Sequence, residues 1–166
     1  MNALNFLPLS AAALLFLPFG GEAQAGPRPY VNAGYITSLQ KCDECESLDA
    51  GGSIRVGLLT EGRFGFYAGY LWFTEYHVPT IGYDDKGSGV VAGLDIRVLT
   101  KGSVRGYAKL GIFIEKFTSD YPGRTETETS PKPDLGFLLH LGHFNTYLGW
   151  QPSDPPHFNV GLGLTR

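Results

Sequence analysis

The sequence predicts an all-β chain, an eight-stranded antiparallel up-and-down transmembrane β-barrel. Three features predict it: period-two segments with one long apolar row, an internal repeat of 40 residues, and alternating tight and long connections. In 53–60, Ile54, Val56 and Leu58 alternate with Ser53, Arg55 and Gly57; in 89–99, Val90, Ala92, Leu94, Ile96 and Val98 alternate with Gly89, Gly93, Asp95 and Arg97. A soluble barrel would bury the aliphatic row and wet the charged one. Here the second row is mostly too small or too polar for an oily core, so the aliphatic row is assigned to lipid.

The repeat sets the strand count. Leu59-Thr60-Glu61-Gly62-Arg63-Phe64 recurs as Leu99-Thr100-Lys101-Gly102-Ser103-Val104 and, more weakly, as Leu139-His140-Leu141-Gly142-His143-Phe144. Tyr67, Tyr107 and Tyr147 keep the same step, as do Tyr70, Leu110 and Trp150. Each unit reads as strand, Gly-containing turn, strand and long polar loop. The Thr-x-Gly turns suit three-residue hairpins with Gly in the left-handed position. The strands fall at 29–38, 52–60, 63–75, 88–99, 103–116, 133–141, 144–151 and 157–165. Their average length is close to the ~9–11 residues a tilted strand needs to cross a bilayer. Tight connections at 60–62, 100–102 and 142–143 alternate with longer ones at 39–51, 76–87, 117–132 and 152–156. An even count lets the sheet close with no edge exposed to lipid.

The first 25 residues are a separate unit. Residues 3–19 are apolar and uncharged, and Ala23-Gln24-Ala25 fits a small-x-small cleavage site before Gly26. This predicts a secretory signal peptide over 1–25, without the usual preceding Lys or Arg, and a barrel domain over 26–166. No later stretch approaches the ~20 apolar residues of a spanning helix. At a net charge of −3 the chain is not basic enough to suggest nucleic acid.

In architecture the chain resembles the small eight-stranded outer-membrane barrels of the OmpA-transmembrane and OmpX type, over essentially the whole of 26–166. That resemblance implies periplasmic short turns, surface loops, outer-membrane lipid and lipopolysaccharide as surroundings, and insertion by the barrel-assembly machinery. Asn159, Gly161 and Leu164 match part of the assembly signal of a last strand, whereas the terminal aromatic of that signal is replaced by Leu164-Thr165-Arg166.

The outward face is expected to carry Phe64, Phe66, Tyr70 and Trp72, then Val104, Ala108, Leu110, Ile112 and Ile114, and lastly Phe158, Val160, Leu162 and Leu164. Amphipathic rings favour the two interfaces. Trp72 and Trp150 fall toward the loop side, Phe64 and Phe144 toward the turn side. The inward face is read as glycine plus charge: Arg55, Asp95, Arg97, Arg105, Lys109 and Glu115, with Asn145 and Tyr147. An eight-stranded barrel has room for side chains but for no wide channel, and unpaired buried ions are costly. A salt-bridge network plugging the lumen is therefore expected, with Asp95 and Lys109 paired across the 100–102 turn. For the sixth strand, a two-residue Gly142-His143 turn of type II′ points Leu135, Phe137, Leu139 and Leu141 at lipid and turns Asp134 and His140 inward.

Cys42 and Cys45 form a CxxC in an acidic loop, read as a small disulfide outside the cytosol. Two further ligands that a metal site would need are not suitably spaced, and no cofactor is implied. Two enzyme families share this barrel size, the lipid A palmitoyltransferases and deacylases. The deacylase His-x-Ser is met here only by His143-Phe144-Asn145 and His157-Phe158-Asn159, with Asn where the nucleophile belongs. A palmitoyltransferase-like set would draw on His77, Asp84, Asp85 and Ser88. The reading preferred is a non-enzymatic monomer that acts in envelope integrity or surface contact through its loops. The alternatives are a lipid A-modifying enzyme using His77, Asp84 and Ser88, and a narrow pore for very small solutes. Loop 117–132, rich in Thr, Ser, Glu and Pro, is expected to be mobile.

Overall fold

The computed structural model describes residues 26–38, 50–78, 83–121, 123–152 and 156–166. The expected leader at 1–25 and the Cys42–Cys45 motif lie outside these residues. Eight strands follow in order: β1 (Arg28–Ser38), β2 (Ala50–Leu59), β3 (Phe64–Val78), β4 (Tyr83–Lys101), β5 (Val104–Tyr121), β6 (Arg124–Leu141), β7 (Phe144–Gln151) and β8 (His157–Thr165). Each pairs antiparallel with its sequence neighbours, and β1 closes onto β8. The fold is an eight-stranded antiparallel up-and-down transmembrane barrel.

The apolar rows face outward. Ile54, Phe66, Tyr70, Val90, Leu94, Leu110, Ile112, Leu148 and Leu162 are all exposed, although apolar side chains normally lead the buried class. On β5 the outward row runs from Val104 to Ile114. Ten residues of tilted strand raise it by about 25 Å, the height of the lipid-facing band of outer-membrane barrels. Phe64 and Phe144 are the first residues after their turns, and both are exposed; Trp72 and Trp150 lie further toward the loop side. Tyr70 and Trp72 stack with ring centroids 6.2 Å apart.

Three expectations need correction. The first concerns the turns. Gly62 does not adopt positive φ; among described glycines only Gly102, Gly123 and Gly142 do. The 60–63 connection is a four-residue turn in which the Thr60 hydroxyl donates to the Phe64 carbonyl. The next turn is a two-residue Gly102-Ser103 loop, because Lys101 pairs with Val104. The extra residue moves into β4 as a bulge between Arg97 and Leu99. Val98 and Leu99 then both face outward, which strict alternation forbids. The Gly142-His143 turn has positive φ at Gly142 (66°) and not at His143, the sign pattern of type II′. Phe137 and Leu141 are outward and Asp134 and His140 buried.

The second correction concerns the long connections. Residues 117–121 and 124–132 are paired strand, in unbroken register from Phe117↔Glu128 to Tyr121↔Arg124, and β3 and β4 continue to Val78 and from Tyr83 past a register shift between Thr74 and Tyr76. The polar upper strands hid from a test based on apolar alternation. Thr125, Thr127 and Thr129 are β-branched and favour the extended backbone whatever their polarity. Above Asp134, β6 pairs with β5 alone, because its pairs with β7 run from Leu135 to Leu141. Pro131 and Pro133 sit in this one-sided stretch, where a missing N–H is tolerated.

The third correction is that the interior is not only glycine and charge. Ile36, Leu59, Leu71, Phe73, Val91, Phe113 and Leu138 are buried inside the ring. The aliphatic pattern of the outward face had obscured these inward apolar positions.

Candidate functional site: the barrel lumen and the loop-side wall

Two ion pairs lie in the lumen, each with its cation against a tyrosine ring. Asp95 and Lys109 are directly opposed on β4 and β5. Lys109 Nζ lies 2.6 Å from Asp95 Oδ1, and donates to the Tyr30 hydroxyl at 2.6 Å. Tyr30 in turn donates to Asp95 Oδ2 at 2.7 Å. The ammonium sits 3.6 Å from the centroid of the Tyr67 ring. The second pair joins β2 to β6: Arg55 Nη2 donates to Asp134 Oδ1 at 2.9 Å. Asp134 also accepts from Tyr67 at 2.7 Å and from Gln151 at 3.2 Å. Arg55 Nη1 donates to Ser53 at 3.2 Å, and its guanidinium lies 4.3 Å from the Tyr147 ring centroid. In a ring of eight, β1 faces β5 and β2 faces β6, so the Lys109–Tyr30 and Arg55–Asp134 links both span the barrel.

Glycines make room for these rings. A Cβ on Gly57 would fall 2.3 Å from the Tyr30 ring, and one on Gly111 would fall 2.3 Å from the Tyr67 hydroxyl. The close approach of ring to backbone is available only where no side chain intervenes. An amide chain completes the belt: Asn32 donates to Asn145, Asn145 to Thr165, and Asn159 to Ser53. Toward the loop side Glu115 pairs with Lys132, and Phe73 packs against His157 with ring centroids 4.3 Å apart.

Among the expected lumen charges, then, Asp95 and Lys109 meet each other, Arg55 meets Asp134, and Glu115 meets Lys132. Arg97 and Arg105 do not join this network. Both are half-buried near the turn-side mouth and make no ion pair among the described residues. Their strand partners Tyr107 and His140 are buried, and neither the Tyr107 hydroxyl nor either His140 nitrogen has a hydrogen-bond partner among those residues. The Arg55–Asp134 pairing is a contact between strands far apart in sequence, which no local pattern encodes. The roles of Tyr30 and Tyr67 were also missed. The signal was the 40-residue step of Tyr67, Tyr107 and Tyr147, which reports three buried lumen tyrosines.

At the loop side, the backbone register sets Asp84 directly across from His77. Ser88 lies opposite Trp72, four residues further along β4 and about 13 Å away from Asp84 along the strand. Ser88 is not brought together with the other two. No group of three or more His, Cys, Asp or Glu poised for a metal occurs among the described residues.

The wall above the belt is the other distinctive feature. β3, β4, β5 and β6 have 15, 19, 18 and 18 residues, whereas β7, β8 and β1 have 8, 9 and 11. The four long strands build a sheet on one side of the loop end.

No family model and no curated protein sequence matches the chain. Solved structures do. Ail, the attachment invasion locus protein of Yersinia pestis, superposes with a TM-score of 0.63 at 19% identity, over 86% of this chain and 100% of that one. Neisserial surface protein A gives a TM-score of 0.54 at 13% identity, covering 84% of this chain and 96% of that one. The N-terminal β-barrel domain of Pseudomonas aeruginosa OprF gives 0.52 at 17%, covering 86% and 98%. At such identities the likeness is one of fold: the chain is built like these small β-barrels.

Proposed function

We propose that the protein is an outer-membrane barrel, exported by a cleaved leader, whose role is surface contact through its loop-side wall. One observation carries this reading: paired strand continues above the lipid belt in β3–β6 while the lumen below is filled by neutralised charge. A filled lumen argues against solute passage. A ribboned sheet standing clear of the headgroups is a rigid platform for contact at little conformational cost.

The chemistry of that platform differs from one feature of a structural neighbour. Ail has been solved in complex with the heparin analogue sucrose octasulfate. In the present chain the loop-side segments 39–49, 75–88, 115–132 and 151–156 hold 12 acids against five Lys or Arg, a net −7. A partner with a basic surface fits such a field, and a sulfated polyanion does not.

The test compares bacteria displaying the native chain with bacteria displaying a variant whose β5–β6 hairpin is trimmed from Phe117 to Ser130. Folding is verified by the shift in gel mobility between unboiled and boiled protein. Loss of adhesion to epithelial monolayers by the trimmed strain, with no retention of sucrose octasulfate by the native barrel, is the expected result. Equal adhesion, together with a lipid A mass spectrum altered by the native chain, would replace this reading by the enzymatic one at His77 and Asp84. Stable single-channel openings in planar bilayers would replace it by the pore.

A further inference from the structure

The barrel is electrically polar along its axis. Its turn side carries the side chains of Arg28, Arg63, Arg97, Lys101, Arg105 and Arg166 against that of the single acid Glu61, a net side-chain charge of +5. The two pairs Arg55–Asp134 and Lys109–Asp95 cancel in the middle. Arg28, Arg63, Lys101 and Arg166 are exposed, as is His143.

These cations lie close to the edge of the apolar belt. Arg63 and His143 immediately precede the outward-facing Phe64 and Phe144; Lys101 and Arg166 each follow an outward leucine, Leu99 and Leu164, by two residues. At about 3.3 Å per residue, the backbone of each of these four residues lies within about 7 Å of that of a lipid-facing residue. That is headgroup depth. The tight turns project no basic loop further out, so the collar addresses the bilayer rather than a polymer beyond it.

A cavity of 270 Å³ opens in the same rim, lined by Pro29, Val31 and Leu164 together with His143 and Arg166. Its walls are tied by backbone bonds from Thr165 N to His143 O (2.8 Å) and from Arg166 N to Pro29 O (3.0 Å). Apolar lining beside the Arg166 guanidinium matches an acyl chain beside a phosphodiester.

We propose that this basic collar binds anionic phospholipid headgroups in the leaflet that meets the turns, with one such lipid seated in the β1–β8 cavity. The attraction is worth about fivefold in local lipid preference for each engaged cation and weakens with salt. The proposal concerns the end of the barrel opposite the surface wall, so either reading can fail without the other.

The folded chain is reconstituted in discs of equal parts phosphatidylethanolamine and phosphatidylglycerol, and the lipids retained on the barrel are counted by native mass spectrometry. Retained phosphatidylglycerol should exceed its share several-fold at low salt and approach its share at high salt. The variant Arg28→Gln/Arg63→Gln/Lys101→Gln/Arg166→Gln should retain the two lipids in bulk proportion, whereas Lys116→Gln/Arg124→Gln should behave as wild type. Gel mobility confirms that each variant is folded, and the salt series on the native chain stands even where a variant is not. Bulk proportions in the native chain, a salt-independent excess, or an unchanged excess in the collar variant would overturn the proposal. So would collar-dependent pelleting of the barrel with purified cell-wall sacculi without any lipid preference, which would assign the collar to that polymer.

Discussion

Replacing Lys109 by Met should destabilise the barrel by about 3–5 kcal/mol, because it leaves Asp95 ionised and buried with one donor. In the native chain Asp95 and Lys109 are 0% and 1% exposed and 2.6 Å apart. At that separation and an effective dielectric constant of about 20, their attraction is about 6 kcal/mol. Desolvation of both ions removes most of this from the net balance, so the pair itself adds little, while breaking it is expensive. After Lys109→Met, the Tyr30 hydroxyl is the remaining side-chain donor to the carboxylate among the described residues. The companion variant is Lys109→Met/Asp95→Leu/Tyr30→Phe, which removes both charges and the hydroxyl that would otherwise be stranded. It should recover to within about 1–2 kcal/mol of the native chain. The assay is urea unfolding in lipid vesicles, followed by Trp72 and Trp150 fluorescence and by gel mobility. If Lys109→Met costs less than about 1 kcal/mol, the lumen is hydrated enough to screen the ion, and the reading of the lumen as filled is wrong.

Three further outcomes follow from the same geometry. Leu110→Arg, midway along the outward row of β5, should cost about 2–4 kcal/mol in vesicle unfolding, and Phe144→Arg at the turn-side edge about 0–1 kcal/mol; equal costs would contradict the belt. Gly111→Ala should cost about 1–3 kcal/mol, because the new Cβ falls 2.3 Å from the Tyr67 hydroxyl and 2.6 Å from the Ala92 carbonyl oxygen, and Tyr67→Leu should recover only the part owed to the hydroxyl in a double variant measured the same way. Pro131→Val/Pro133→Val should restore amide donors to the one-sided upper stretch of β6, raising self-association seen by analytical ultracentrifugation in detergent; an unchanged monomer would show that this edge is covered.

How much of this was legible in the sequence depended on the range of the interaction involved. The two faces of every strand follow from a period of two, a local property, so the outward rows and the inward placement of Arg55, Asp95 and Lys109 could be read directly. The Asp95–Lys109 pair was also legible, because one tight turn separates its members. The Arg55–Asp134 and Lys109–Tyr30 links were not, because they join opposite sides of a closed ring, and closure is a property of the whole sheet. The upper strands were missed for a different reason. Above the lipid neither face must be apolar, so the alternation that marks a strand disappears, and only the β-branched Thr125, Thr127 and Thr129 remain as a signal. The bulge at Val98 was hidden by the repeat itself: the matching Thr-x-Gly strings suggested identical turns, yet Gly102 takes positive φ and Gly62 does not.

The lumen charges also bear on how eight strands find one register. A one-residue slip turns every side chain to the other face. Such a slip of β2 would put Arg55 into lipid at about 2–4 kcal/mol near the midplane. A two-residue slip keeps the faces and so escapes that penalty, but it separates Asp95 from the residue directly opposite, Lys109. Buried pairs that add little net stability thus discriminate against the slips that the apolar pattern alone permits. The apolar triple variant Lys109→Met/Asp95→Leu/Tyr30→Phe separates the two effects, since it should keep most of the stability and lose the discrimination. Leu94 and Leu110 are directly opposed on the outward face, so Leu94→Cys/Leu110→Cys reports the register by disulfide yield after refolding. The yield should fall in the triple-variant background relative to the native one. An equal yield would mean that the turns and outward rows suffice to set the register, leaving the ion pairs with no part in it.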